Sequence, residues 1–97
     1  MTGQYLITGA NGYVGSRLCE YFNHHKKKFI PLSRKSSLGI SLDLSLMDFP
    51  DTIFENIDSI VHLAGLAHDS TNNQDRNKYN MINGYSTINL AEKASKN

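Results

Sequence analysis

Apolar and polar positions along the chain change their period several times, and each change marks an element. The apolar run Tyr5-Leu6-Ile7 meets Thr8 and Gly9, and after it Val14, Leu18, Cys19, Tyr21 and Phe22 recur on one face at the helical period. This predicts a strand and then a helix from about Gly12 to His25, with Cys19 packed in the core rather than reactive. Phe29-Ile30-Pro31-Leu32 predicts a second strand, parallel to the first across a right-handed crossover. Proline cannot donate to a ladder, so the strand is expected to be short or irregular at Pro31. Alternation in Gly39-Ile40-Ser41-Leu42-Asp43-Leu44 predicts a short edge strand, followed by a short helix over 46–54 interrupted at Pro50. The apolar run from Asp58 to Gly65 reads as a fourth strand covered on both faces. Residues 68–76 are polar and without period, which predicts a loop. A last helix is expected from Asp75 or Arg76 to Lys96, with Asn83, Thr87, Leu90 and Ala94 sharing a face.

The junction between the first strand and its helix carries Gly9, Gly12 and Gly15, in the order TGANGYVG. Each glycine of a dinucleotide-binding turn has a task that a side chain would obstruct. One makes the tight turn, one lets the backbone approach a pyrophosphate, and one lets the helix pack on its strand. The helix then offers unpaired N–H groups and its positive dipole end to the phosphates. A structural turn that binds nothing is the alternative.

The Thr-Gly-x-x-Gly-x-x-Gly pattern resembles the short-chain dehydrogenase/reductase superfamily, and TGANGYVG is most similar to the extended branch that contains sugar-nucleotide epimerases and dehydratases. The resemblance implies an α/β fold, a partial Rossmann fold with a parallel sheet in the order 3-2-1-4 and helices on both faces. It also implies cofactor contacts through Gly9, Asn11, Gly12, Tyr13, Val14 and Gly15. In such folds the residue after the second strand meets the adenosine ribose, where an acid suits NAD and an arginine suits the 2′-phosphate of NADP. Arg34 stands where NAD-preferring relatives carry Asp, so the cofactor is NADP or NAD with a lean to NADP; a plain exposed loop cation is the other reading.

Asp43-Leu44 matches a pair that closes over the adenine ring in the family, the alternative being an aspartate that caps a turn. VHLAGLAHD resembles the strand-to-loop segment of UDP-galactose 4-epimerase and its relatives, which passes beneath the nicotinamide half of the cofactor. That implies contacts by Leu63, Ala64 and Gly65. Ala67 stands where 4-epimerase relatives can carry a lysine, which weakens that particular assignment. His62 reads as a satisfied core histidine rather than a catalytic base, with no carboxylate or nucleophile visibly beside it. NGYSTINLAEKA is similar to the family's Asn-Val-x-Gly-Thr-x-Asn-Leu-Leu-Glu-Ala helix, whose first Asn organises the active-site backbone; Asn83 takes that place, while Gly84 and Ser86 depart from the pattern.

Composition narrows the picture further. Ninety-seven residues make one domain or part of one, and a hydrophobic fraction of 39% suffices for a modest core. A formal charge of +1 gives no electrostatic case for nucleic acid or membrane, and Lys26-Lys27-Lys28 reads as a solvated cluster complementing the helix dipole. The single cysteine fits a reducing compartment, and no Cys/His spacing suggests a metal. No apolar stretch approaches a membrane span and no signal peptide precedes the first strand, so the expected location is cytoplasmic.

The superfamily's chemistry rests on a Tyr-x-x-x-Lys pair, in which the lysine lowers the tyrosine pKa so that the phenol passes a proton as hydride moves. Four residues beyond Tyr5, Tyr13, Tyr21, Tyr79 and Tyr85 stand Gly9, Arg17, His25, Asn83 and Asn89, and none is lysine. The resemblance therefore implies that residues 1–97 are the N-terminal half of an NAD(P)-binding Rossmann domain, ending before the fifth strand. The expected function is the NAD(P)-binding portion of a sugar-nucleotide epimerase, dehydratase or reductase, inactive alone, with a nucleotide-sugar substrate only where a catalytic half is present. The alternative is a non-catalytic NAD(P)-binding sensor or relic module. An open fourth-strand edge would favour a homodimer or strand-swapped oligomer.

Overall fold

A computed structural model describes residues 3–34, 39–42, 49–64 and 84–96. Four strands, β1 (Tyr5–Thr8), β2 (Phe29–Ser33), β3 (Ile40–Ser41) and β4 (Ser59–His62), pair in parallel in the order β3-β2-β1-β4. This is the 3-2-1-4 sheet of a partial Rossmann α/β fold. Helix α1 (Tyr13–His24) joins β1 to β2, a 3-10 turn over Asp51–Phe54 precedes β4, and helix α2 (Ser86–Ser95) follows later in the chain.

Period-two alternation sends the strand side chains into two layers. Tyr5 and Phe29 meet Phe22 of α1 edge to face, with ring centroids 4.9 and 5.7 Å apart. On the opposite face Leu6 and Leu32 form one cluster with Phe49, Ile53, Phe54 and Leu90, against which Ile30, Ile60 and Ala94 pack. The inward face of α1 carries buried Gly15 and Phe22 with half-buried Leu18 and Cys19, the i, i+3, i+4, i+7 stripe. Val14 and Tyr21, expected on that face, are instead 60% and 53% exposed, because they lie one position off the stripe. Cys19 is half-buried and burial pushes its thiol pKa up, which agrees with a packing role.

Pro31 does not interrupt β2, and the hydrogen-bond register shows why. The Tyr5 N–H donates to the Lys28 carbonyl and the Ala10 N–H to the Leu32 carbonyl, so residues 28 and 32 face β1. Residues 31 and 33 therefore turn toward β3, where pairing starts only at Leu32 and the Leu42 N–H reaches the Ser33 carbonyl. The missing N–H of Pro31 thus lies where no ladder bond is required. Gly39 enters β3 so close to Pro31 that a Cβ on it would strike the Pro31 carbonyl.

The last expected helix is described from Gly84 onward, as a wide turn at 84–85 that passes into α2. Leu90 is buried and Ala94 packs on the core, as the periodicity requires. Among the described residues no helix is long and apolar enough to cross a membrane.

Candidate functional site

β1 ends on a fully buried Thr8, and Gly9 then takes φ +67°, a left-handed conformation that side chains resist. A Cβ on Gly9 would stand 2.6 Å from the Leu63 carbonyl carbon, 2.7 Å from the Ala64 nitrogen and 2.8 Å from the Leu63 oxygen. The exits of β1 and β4 are therefore in backbone contact. A Cβ on Gly15 would enter the Gly9 carbonyl oxygen and lie 2.9 Å from the Gly9 carbonyl carbon and 3.0 Å from the Ala10 Cα. Gly12 differs, since it is exposed and among the described residues a Cβ there meets only the Gly9 oxygen, at 3.3 Å. Packing of the protein on itself imposes glycine strongly at two of these positions and weakly at the third.

Helix α1 starts at this turn with no side-chain cap and no acidic residue in its first turn. Its leading N–H groups and dipole consequently form an anion-favouring end. Tyr13 and Val14 stand 74% and 60% exposed there, beside Asn11 and Gly12. The Arg17 guanidinium lies 3.7 Å over the Tyr13 ring and donates to the Tyr13 carbonyl at 3.3 Å, which adds positive charge within a turn of the helix start.

Two further groups sit at the carboxyl end of β2. Arg34 is exposed, and the Ser41 hydroxyl donates to its carbonyl at 2.9 Å. Ser33 is buried, and its Oγ has no hydrogen-bond partner among the described residues. Of the residues expected to bind cofactor, Gly9, Asn11, Gly12, Arg34, Leu63 and Ala64 lie at the carboxyl ends of β1, β2 and β4 or in the turns leaving them, and Tyr13, Val14 and Gly15 form the first turn of α1. Asp43, Leu44, Gly65 and Asn83 lie outside the described residues.

Sequence reasoning passed over a set of polar contacts behind the glycines. The Leu63 and Ala64 N–H groups donate to Thr8 Oγ1 at 3.0 and 3.1 Å. Thr8 Oγ1 is also 2.6 Å from His62 Nδ1, and His62 Nε2 is 2.9 Å from Thr87 Oγ1. Thr8 and His62 are direct register partners across β1 and β4, a relation that sequence alone does not supply. His62 thus has the satisfied environment expected of a core histidine.

Burial lowers the His62 pKa below its ordinary value of 6.5. A histidine pKa depressed on folding stabilises the fold fully above 6.5, and the contribution is lost as pH falls below 6.5 toward the folded value. Urea unfolding from pH 7.5 down to pH 5 should show this loss in the natural chain. A His62→Gln variant should lack that component, and identical pH slopes in the two proteins would refute it.

Comparison with known proteins bears on this geometry. The model of the NAD dependent epimerase/dehydratase family matches residues 5–97. A UDP-2-acetamido-2,6-beta-L-arabino-hexul-4-ose reductase of Pseudomonas aeruginosa is 37% identical over 62 residues, covering 63% of this chain and 14% of the reductase. A short-chain dehydrogenase/reductase superfamily protein from Agrobacterium tumefaciens, solved with bound NAD, superposes with a TM-score of 0.78 at 18% identity, over 96% of this chain and 29% of that one. MoeE5, solved with UDP-glucose and NAD, gives a TM-score of 0.76 at 23% identity, over 97% of this chain and 33% of that one. The chain thus spans only a minor part of the length of each of these proteins.

Proposed function

The chain belongs to the NAD dependent epimerase/dehydratase family, and from that premise we propose that its glycine turn seats the pyrophosphate of a nicotinamide dinucleotide. The carrying observation is Gly12. Its neighbours Gly9 and Gly15 are required by contacts within the protein, whereas Gly12 is exposed at an uncapped helix start, and an approaching phosphate gives it a reason to lack a side chain. The Ser33 hydroxyl, without a partner among the described residues, and the exposed Arg34 suit the adenosine ribose and a 2′-phosphate, which favours NADP over NAD. Asp43 and Leu44 would close over the adenine, and Leu63, Ala64, Gly65 and Asn83 would border the nicotinamide half.

The bound dinucleotide would accept or return hydride. These residues would bind it, align it along the sheet edge and shield its phosphates. They supply no Tyr-x-x-x-Lys pair for proton transfer. The complete catalytic unit would act on a nucleotide-sugar as an epimerase, dehydratase or reductase, in keeping with the names of the reductase and of MoeE5's ligands. A non-catalytic NAD(P)-binding module is the second reading.

Calorimetric titration of the folded chain with NADP and NAD tests the seat. Binding is expected, tighter for NADP, and Gly12→Ala should weaken it at least tenfold while changing stability by less than about 1 kcal/mol. A folded chain that gives heat with neither nucleotide would overturn the assignment.

A further inference from the structure

Hydrogen-bond capacity around Thr8 decides the protonation of a residue that the cofactor reading leaves without a task. A threonine hydroxyl has one proton to donate and two lone pairs to accept with. Both lone pairs of Thr8 Oγ1 face donors, the Ala64 N–H at 3.1 Å and the Leu63 N–H at 3.0 Å, the latter shared with the Thr8 carbonyl at 3.3 Å. Its own proton must therefore go to the remaining neighbour, His62 Nδ1, at 2.6 Å. A bare Nδ1 leaves the imidazole proton on Nε2, which donates to Thr87 Oγ1 at 2.9 Å.

We propose that His62 is a positioning residue, held as the neutral Nε2–H tautomer, that locks the Thr8 hydroxyl in the orientation which fixes the Leu63–Ala64 backbone and ties it to the first turn of α2. One continuous chain of donors then links β1, the exit of β4 and α2. The backbone it fixes is the one pressed against Gly9, so the same chain sets the wall of the proposed dinucleotide seat. That last step rests on the proposed function; the tautomer and the backbone order do not.

Protonation of His62 would place an N–H opposite a hydroxyl oxygen with no lone pair to spare. Thr8 would have to release an amide or turn its proton away. Burial disfavours the cation in the same sense. From β1 the ring meets Thr8 and from α2 it meets Thr87, neither of them titratable. Among the described residues, Asp58 is the titratable group that shares with it a groove of about 460 Å³ between β4 and α2, at the other end of the strand.

The test is nitrogen-15 NMR of the natural chain and its variants near pH 7, with amide exchange at Ala64 as second readout. The His62 ring should show an unprotonated Nδ1 and a protonated Nε2. His62→Ala should speed exchange at Ala64 about tenfold, and His62→Asn, whose Oδ1 can take the Thr8 proton, should restore most of the protection. Should His62→Ala not fold, Thr87→Val serves, since it removes the acceptor of Nε2 and leaves Thr8 and His62 in place; it should speed exchange of the Nε2 proton and leave Ala64 protected.

A ring protonated on Nδ1 would overturn the proposal. So would Ala64 exchange unchanged in His62→Ala, or lost equally in the asparagine variant, or an Nε2 proton unaffected in Thr87→Val. In the same samples, NADP should bind about tenfold more weakly to His62→Ala than to His62→Asn. Absence of NADP binding in every sample, with the tautomer and exchange pattern as expected, would remove the proposed function and leave the positioning role intact.

Discussion

Gly15→Ala is expected to cost at least about 3 kcal/mol of stability, a large part of what a domain of this size possesses. The added Cβ would sit in the Gly9 carbonyl oxygen and within 3.0 Å of two further backbone atoms, Gly9 C and Ala10 Cα. None of these is the end of a flexible side chain, so relief requires the start of α1 to move away from β1. That movement uncovers Phe22, which packs edge to face on both Tyr5 and Phe29. The loss therefore extends beyond a local bump into the contact between helix and sheet. Gly84→Ala is the control, since a Cβ there meets nothing within 4 Å among the described residues and its φ is not positive. That change should be neutral or stabilise by up to about 1 kcal/mol, through a less disordered unfolded chain. Urea unfolding of both variants decides the matter, and equal stabilities would show that the helix does not rest on the glycine turn.

The three glycines illustrate how far the sequence could be read. Their spacing announced a strand-to-helix turn, and the family resemblance carried by that turn implied the parallel 3-2-1-4 sheet. The spacing did not reveal that Gly9 is squeezed by Leu63 and Ala64, more than fifty residues away in the chain. Contacts of that kind depend on register, and register between β1 and β4 is set by the packed sheet rather than by either strand's own pattern. The same gap hid the pairing of Thr8 with His62, and with it the reason for a histidine at the half-buried end of β4.

Pro31 and Val14 show two other limits. Proline is disfavoured in a ladder only where its N–H would be needed, and which side of β2 each residue faces became evident only from the bonds to Lys28 and Leu32. Val14 fits an apolar stripe by hydropathy alone, yet the stripe is centred on Gly15, so Val14 is left beside Tyr13 on the exposed start of α1. In the proposed seat a bound nucleotide would cover this exposed apolar side chain.

Thr8→Val should destabilise the chain by about 2–4 kcal/mol, although it exchanges a buried hydroxyl for a methyl group of nearly the same shape. The methyl contributes about 1 kcal/mol of apolar burial. Against it stand the groups that lose a partner. Leu63 N–H retains the Thr8 carbonyl at 3.3 Å, but the Ala64 N–H loses its acceptor and His62 Nδ1 its donor. Each buried polar group left unpaired costs about 1–3 kcal/mol, so the loss outweighs the gain. Ser33→Ala supplies the opposite case in the same sheet. Its hydroxyl is buried without a partner among the described residues, so removing it should raise stability by up to about 1 kcal/mol while weakening nucleotide binding. Denaturant titrations of the two variants should therefore move in opposite directions. A valine variant as stable as the natural chain would mean that Thr8 holds neither His62 nor the exit of β4, and the chain of donors from β1 to α2 would have no energetic content.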